Sequence, residues 1–296
     1  MKKAFRISPA AGFEIRRGEQ LAGHTSLGIG GKADYFIRVH SRKGLRQVLA
    51  FVARYRLRAM VIGAGTNVLF SDRGFKGVVI KLCGSFSEIK MGGEQCVCGA
   101  GVYLRTLVKK ARDTQRRGAE FLAGIPGTVG GAVKGNAGAW GHAIAGITEN
   151  VTVMTRDGKV KVLEAEEIGF KYRSSRISDR HTIVSVTLRL GKGRRSVISG
   201  TIKKYLAQRN ARQPSGRSAG SFFKNPPGNP AGKLIEECGL KGSRVGQAMV
   251  SLRHGNFIMN CGRATADDVL ALVRKIQNAV RRNKGIKLQP EVRIVR

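Results

Sequence analysis

Apolar residues recur at regular spacings that divide the chain into three parts. In the first part, apolar positions three to four residues apart predict a helix over residues 44–55. Short apolar runs predict strands at 59–62 and 77–82, and the glycine turn GAGTN (63–67) follows the first of them. This order predicts an α/β unit at the start of the chain.

Strand signals dominate the second part, which we expect to extend from residue 83 to residue 192. The turn Arg-Asp-Gly at 156–158 contains the Asp-Gly pair typical of hairpins, and the apolar runs beside it predict a hairpin over 151–163. The run HTIVSVTLRL (181–190) alternates apolar and polar residues, as a half-buried strand does. One helix is predicted at 104–115.

Helical spacing returns in the third part, after the tripeptide Gly-Lys-Gly at 191–193, which is predicted to be a linker. Helices are predicted at 197–209 and 231–238, the latter stopped by a glycine. Thr265 and Asp268 have the spacing of a capping box before a long helix that Gly285 should end. The segment 291–295 predicts a final strand.

The charge of the chain is strongly positive, with 54 Lys and Arg against 19 Asp and Glu and a net charge of +35. Such a charge favours anionic partners: nucleic acids, acidic membranes or small phosphorylated molecules. The basic residues are spread along the chain, and dense runs such as Arg281-Arg282 fall on predicted helix surfaces. This distribution favours steering of small anionic substrates, although a compositional bias of the source organism would also produce it.

Cysteine usage and the lack of long apolar runs indicate a cytoplasmic protein. The five cysteines form no C-x-x-C pair, and the spacing of Cys96 and Cys98 places both on one face of a strand. We expect buried, reduced thiols and no metal site. The N-terminal MKKAFRISPAAGFE lacks the apolar core of a signal peptide, and no apolar run approaches the ~20 residues of a membrane span.

Two glycine-rich stretches are candidate anion sites. In GAGTN, backbone N–H groups and the Thr66 and Asn67 side chains could converge on an anion, although an ordinary tight turn would have the same sequence. It matches neither the Rossmann fingerprint nor the P-loop. GIPGTVGGAVKGNAGAWG (124–141) has almost no charge and few bulky side chains, which favours backbone wrapped closely around a flat or phosphorylated ligand.

Three polar residues are ambiguous when each is considered alone. Arg173 follows an aromatic residue in FKYRSSR, and Glu291 follows a proline in LQPEVRIV. Ser221 lies in GSFFKNP without the G-x-S-x-G motif of a serine hydrolase. Surface or structural roles would explain each of them.

Taken in series, the motifs resemble one enzyme family. The strings GIGGKADYF, VIGAGTNVLFSDRGFKGVVI, GIPGTVGGAVKGNAGAWG, YRSS, GSFFKNP, LIEECGLKG and LQPEVR are similar to those of UDP-N-acetylenolpyruvoylglucosamine reductases, also called UDP-N-acetylmuramate dehydrogenases. These flavoenzymes act in bacterial peptidoglycan precursor synthesis. The resemblance covers residues 21–295, nearly the whole chain.

The resemblance implies an α+β fold with an FAD-binding region of the vanillyl-alcohol oxidase type. It implies FAD-binding subdomains at 1–82 and 83–192, a substrate-binding domain at 193–285, and a C-terminal strand within 286–296 that returns to the first subdomain. It also implies non-covalent FAD, NADPH as co-substrate and a UDP-sugar substrate. We expect a monomer that binds neither nucleic acid nor membrane.

The family's functional residues match positions throughout the chain. The resemblance implies catalytic roles for Arg173 and Glu291 at the substrate carboxylate and for Ser221 as proton donor. The implied cofactor-binding residues are Gly63, Ala64, Gly65, Thr66, Asn67, Pro126, Gly127, Thr128, Gly130, Gly131 and Asn136. The implied substrate-binding residues are Tyr172, Arg209, Asn225 and His254.

The sequence departs from the family pattern at a few positions. Trp140 stands where a tyrosine is common, and Lys134-Gly135 replaces a more apolar pair. The chain lacks the insertions that carry a substrate-covering tyrosine loop, so it resembles the family's shorter branch. Two alternatives stay open: another FAD oxidoreductase of the same fold, such as an alcohol oxidase, and a basic nucleic-acid-binding protein.

Overall fold

The computed structural model of the chain describes residues 12–296, so most of the N-terminal segment considered for a signal peptide lies outside it. The first subdomain is a four-stranded sheet of order β1-β2-β5-β3, in which β2, β5 and β3 are parallel and β1 is antiparallel. Helix α1 covers it with the buried apolar face predicted from the sequence. The elements are β1 (Phe13–Gln20), β2 (Lys32–Val39), α1 (Arg42–Arg54), β3 (Ala59–Ile62), β4 (Val68–Phe70) and β5 (Phe75–Leu82).

The second subdomain is an antiparallel sheet of order β12-β11-β13-β7-β6. The predicted hairpin is confirmed as β11 and β12. The elements are β6 (Ile89–Gly92), β7 (Gln95–Gly99), α2 (Leu104–Asp113), β8 (Arg116–Arg117), α3 (Val129–Lys134), β9 (Gly138–Ala139), β10 (His142–Ala143), β11 (Thr148–Met154), β12 (Val160–Glu164), α4 (Ala165–Ile168), β13 (Thr182–Arg189) and β14 (Gly191–Lys192).

The third domain packs helix α7 on a small antiparallel sheet of order β15-β18-β17-β16. The capping box of Thr265 and Asp268 is confirmed, and Gly285 ends α7 in the left-handed conformation, with φ of 68°. From residue 195 onward, the elements are α5 (Arg195–Arg212), β15 (Ser218–Ser221), α6 (Ala231–Glu237), β16 (Arg244–Val245), β17 (Ala248–Val250), β18 (Phe257–Asn260), α7 (Ala266–Lys284) and β19 (Arg293–Val295). Helix α5 packs on α2 and β8 of the second subdomain.

Two sequence predictions are corrected by backbone pairing. The supposed linker at 191–193 is ordered, because β14 pairs with β8 and the Gly193 N–H donates to the Gln115 carbonyl at 3.0 Å. The final strand begins at Arg293, so Glu291 precedes it. This strand pairs in parallel with β4 of the first subdomain.

Long-range contacts bind the three parts together. One core is shared by the first two subdomains, and it contains the fully buried Cys96 and Cys98, whose Sγ atoms lie 3.4 Å apart. The Asp72 carboxylate of the first subdomain accepts hydrogen bonds from the Ala266 N–H at 2.8 and 3.0 Å, at the start of α7. In the described part of the chain, no helix combines the length and apolar character that crossing a bilayer requires.

Candidate active site

The loop at 63–67 has the backbone geometry of an anion cradle. Within residues 12–296, the N–H groups of positions 64–67 donate no hydrogen bond, so four consecutive donors are available. Gly65 lies in the left-handed region, with φ of 68°, and a Cβ there would overlap the His24 carbonyl and lie 2.9 Å from Thr25 Cα. Only glycine fits this turn without strain. The sequence-predicted anion loop therefore has free donors and a backbone that requires its glycine.

The second glycine-rich stretch lies against the first loop. Thr128 is the N-cap of helix α3, and a Cβ on Gly63 would overlap the Thr128 hydroxyl. The Thr66 hydroxyl donates to the Pro126 carbonyl at 3.0 Å. The second stretch is therefore partly helical and is not a loop throughout. Its small residues allow it to contact the loop at 63–67. The two predicted cofactor-binding segments thus form one surface.

That surface opens on a cavity of about 880 Å³ between the first two subdomains. Gly63, Thr128, Gly130 and Gly131 of the predicted cofactor-binding set line it. Its basic lining residues far outnumber the acidic Asp179, and they are Arg16, Arg38, Arg58, Lys81, Lys134, Arg156, Arg293 and Arg296. The chamber is large enough for a dinucleotide, and its charge suits a pyrophosphate. The residues present therefore fit FAD.

Asn136, also predicted to bind the cofactor, uses its amide within the protein. Its Nδ2 donates to the Lys171 carbonyl at 2.9 Å, and its Oδ1 accepts from the Ala145 N–H at 3.2 Å. The side chain is buried. Asn136 therefore fixes the loop that carries Arg173.

Backbone hydrogen bonds bring Ser221 and Glu291 together. The Glu291 N–H donates to the Phe222 carbonyl at 2.8 Å, so Ser221 lies one residue from this link. The Asn67 amide donates to the Glu291 carbonyl at 3.3 Å, which joins the first cradle to the same point. Phe222 is about 1 % exposed and packs into the core of the third domain. It anchors the backbone beside Ser221, whose hydroxyl makes no hydrogen bond to any residue between 12 and 296.

Arg173 and Glu291 face each other in a partly buried pair. Arg173 Nε lies 3.3 Å from Glu291 Oε1, but the angle is too poor for a hydrogen bond, and Nε has no acceptor within the described residues. Arg173 Nη1 donates to the Gly138 carbonyl at 3.0 Å. Burial raises the pKa of the Glu291 carboxyl, and the charges of Arg173 and Lys224 oppose this shift only in part. A buried guanidinium donor therefore remains unused beside a carboxyl that holds its proton more tightly than usual.

Arg209 adds a second cation to this pair. Burial lowers the pKa of its guanidinium, and the charge of Arg173 lowers it further. Arg209 lies against Gly124, where a Cβ would come 2.8 Å from its Cδ. Arg209 therefore lies near Arg173, whose guanidinium pairs with the Glu291 carboxylate, and the cluster has an excess of positive charge. An anionic ligand would balance it.

The remaining predicted substrate-binding residues lie around helix α6. The Asn225 N–H donates to the Tyr172 hydroxyl at 3.4 Å, and Asn225 Oδ1 accepts from the Ala231 N–H at 3.0 Å. Tyr172 is exposed, and the Arg173 guanidinium lies 5.5 Å from the centre of its ring. His254 packs against the first turn of α6 at Gly232, and burial lowers its pKa. Tyr172 therefore links the residues around α6 to the Arg173–Glu291 pair.

Comparisons with known proteins agree along the chain. Residues 33–164 match an FAD binding domain model, and residues 212–295 match the model of the UDP-N-acetylenolpyruvoylglucosamine reductase C-terminal domain. Enzymes with the reductase name from Symbiobacterium thermophilum and Geobacter metallireducens are 43% and 44% identical, each over 95% of this chain and over 92% and 94% of their own lengths. The chain belongs to the UDP-N-acetylenolpyruvoylglucosamine reductase family.

A solved structure supports the same family assignment. The crystal structure of the reductase from Thermus caldophilus superposes with a TM-score of 0.84 at 39% identity, covering 96% of this chain and 99% of that one. The predicted α+β FAD-binding fold is thereby confirmed. As a member of the reductase family, the chain is an FAD-binding oxidoreductase.

Two contacts of the candidate site were not predicted from the sequence. Asp179 pairs with Lys134 at 2.9 Å and with Arg293 at 3.1 Å on the wall of the cavity. Trp140 stacks on Tyr205 beside the arginine cluster. No local motif marks these contacts, because each joins residues far apart in sequence. In the sequence, these positions were marked only by the departures from the family pattern at Lys134 and Trp140.

Proposed function

We propose that the chain reduces the enolpyruvyl ether of UDP-N-acetylglucosamine to UDP-N-acetylmuramate, with NADPH as the electron donor. FAD, when bound, supplies hydride to C3 of the enolpyruvyl group. The observation that carries the proposal is the unused donor of Arg173 beside the half-buried Glu291, within a cluster of excess positive charge. We expect the enzyme to be cytoplasmic and monomeric, acting in peptidoglycan precursor synthesis.

The loops at 63–67 and 126–131 would hold the cofactor pyrophosphate. The free backbone N–H groups of the loop at 63–67 and the basic cavity wall supply donors and positive charge. The hydrogen bond from Asn67 to the Glu291 carbonyl supports a position of the first loop beside the proposed catalytic residues. The cofactor would therefore extend from the cavity toward Arg173 and Ser221.

Arg173 and Glu291 suit the substrate carboxylate. When hydride reaches C3, negative charge develops at C2 and spreads into this carboxylate. A planar guanidinium with a free Nε–H stabilises that charge. The Arg173 side chain needs little reorganisation to do so, because the Gly138 carbonyl already holds its Nη1. The raised pKa favours protonated Glu291, which can donate to the same group. Both residues would bind the transition state more strongly than the ground state.

Ser221 would supply the proton to C2. A serine hydroxyl is a weak acid in water, so it donates effectively only to a strongly basic carbanion away from solvent. The Ser221 side chain is half-buried, and the preceding Gly220, with φ of 74°, leaves open space where a Cβ would lie. Substrate can approach the hydroxyl closely at this point.

Separate measurement of the half-reactions tests the role of Ser221. Ser221→Ala should leave flavin reduction by NADPH near normal, but should slow reoxidation by the enolpyruvyl substrate by about 10²–10⁴-fold. Ser221→Cys keeps a proton donor, so its rate should fall between those of the alanine variant and wild type. Ser218→Ala, in the same strand, is the matched control. Stopped-flow flavin absorbance follows each step.

Equal slowing of both half-reactions by Ser221→Ala would show that Ser221 supports the flavin site or the fold. No slowing of either would show that another donor protonates C2. Oxidation of an alcohol, with no reduction of the enolpyruvyl substrate, would favour the alternative FAD oxidoreductase. A colourless protein that takes up no added FAD would contradict the cofactor assignment itself.

A further inference from the structure

Trp140 and Tyr205 form an aromatic stack between the β9–β10 hairpin and helix α5. Their ring centroids lie 5.4 Å apart, and their planes differ by 1°. Trp140 lies in the turn between β9 and β10, with φ of 57°, and Tyr205 lies on α5. The stack therefore joins a small hairpin to a long helix, which also packs on α2 and β8.

Each side of the stack is linked to an arginine of the candidate active site. In the hairpin, the Gly138 carbonyl accepts the hydrogen bond from Arg173 Nη1 at 3.0 Å. On α5, Arg209 follows Tyr205 by four residues, so both lie on the same face of the helix. The distance between hairpin and helix therefore influences the distance between the two guanidinium groups.

The two arginines need such a support because they repel each other. Burial lowers the pKa of Arg209, and the charge of Arg173 lowers it further, so their repulsion acts in a poorly solvated site. The β9–β10 hairpin pairs only two residues from each strand and is weak by itself. The Trp140 Nε1 is buried and has no acceptor in the described chain, so ring packing must fix the indole.

We propose that the Trp140–Tyr205 stack is a positioning contact that holds Arg173 and Arg209 at the separation needed by two anionic groups of the substrate. Neither aromatic side chain needs to touch the substrate for this role. The inference rests on the proposed function, because that function supplies the doubly anionic ligand.

The fluorescence of Trp140 makes the stack directly observable, because the chain contains one tryptophan. Tyr205→Leu should shift the emission to longer wavelength and increase acrylamide quenching. It should also raise KM for the UDP-sugar by about three- to ten-fold, the size expected for loss of one aromatic pair. The effect on kcat should be smaller, because the arginines bind anions in both the ground and transition states.

Conservative and matched variants separate positioning from general damage. Tyr205→Phe keeps the ring, so its emission and KM should match wild type. Val197→Ala changes an exposed side chain on the same helix and should leave both readouts unchanged. Should Tyr205→Leu fail to fold, Tyr205→Met fills similar volume without a ring and takes its place.

The outcomes distinguish this inference from the proposed function. An active wild-type enzyme whose KM is unchanged in Tyr205→Leu, despite altered Trp140 emission, would overturn the inference alone. Failure of Tyr205→Phe to restore KM would also overturn it, because the hydroxyl would then be the important group. Absence of reductase activity in the wild-type protein would overturn the proposed function and this inference together.

Discussion

Gly65→Ala tests whether the loop at 63–67 binds the FAD pyrophosphate. Gly65 has φ of 68°, and an alanine Cβ would overlap the His24 carbonyl. The backbone must therefore move, but the Gly65 carbonyl is held by the Ser26 N–H at 3.0 Å. Movement would displace the free N–H groups of the cradle, so we expect FAD affinity to fall.

The magnitude follows from the strain and the lost hydrogen bonds. Left-handed backbone costs a non-glycine residue about 1–2 kcal/mol. A hydrogen bond to a charged group contributes about 1.5–3 kcal/mol. Misplacing one such donor and straining the turn would together cost roughly 3 kcal/mol, which raises Kd for FAD about 100-fold.

The assay is titration of apoprotein with FAD, followed by flavin fluorescence. Gly146→Ala is the matched control, because a Cβ there meets nothing within 4 Å and its backbone lies outside the left-handed region. Unfolding midpoints without FAD show whether each variant is folded. A folded Gly65→Ala protein with the wild-type Kd would refute the assignment of this loop to the cofactor.

Other variants test the catalytic pair and the fold. Arg173→Lys should reduce kcat for the enolpyruvyl substrate although the charge is retained, because an ammonium group lacks the planar donor geometry of guanidinium. Wild-type turnover by this variant would show that Arg173 does not lie at the substrate carboxylate. Burial raises the pKa of Glu291, so the folded state binds this proton more tightly than the unfolded chain. Its contribution to stability is therefore present below the usual Glu pKa of about 4.3 and is lost as pH rises through the raised value. Denaturant unfolding over that pH range should show this loss in wild type but not in Glu291→Gln; parallel pH profiles would contradict the shift. Thr265→Ala removes the hydroxyl that accepts a hydrogen bond from the Asp268 N–H at 3.0 Å, so the free energy of unfolding should fall by about 1 kcal/mol. An unchanged free energy of unfolding would show that Asp72 alone caps α7.

Local elements of this protein could be predicted from sequence because short-range physics decides them. The capping box at Thr265 and the stop at Gly285 depend on groups within one helical turn. The hairpin at 151–163 depends on its Asp-Gly turn and alternating strands. The family motifs predicted the FAD-binding fold, although GAGTN alone could not be distinguished from an ordinary turn.

Contacts between distant segments were decided only by the tertiary structure. The strand pair β14–β8 ordered a segment that looked like a linker, because its partner lies far away in sequence. Asn136 fixes a loop through its amide, a role that its residue type does not reveal.

The chemistry of the site also depends on three-dimensional packing. The sequence supplied the residue types of Arg173, Ser221 and Glu291, but their burial and spacing come from three separate parts of the chain. The raised pKa of Glu291 arises from desolvation, and the charge of Arg173 across the pair opposes this shift only in part. Desolvation and Coulomb interactions depend on distances in space, and these distances are set only when the three domains pack together.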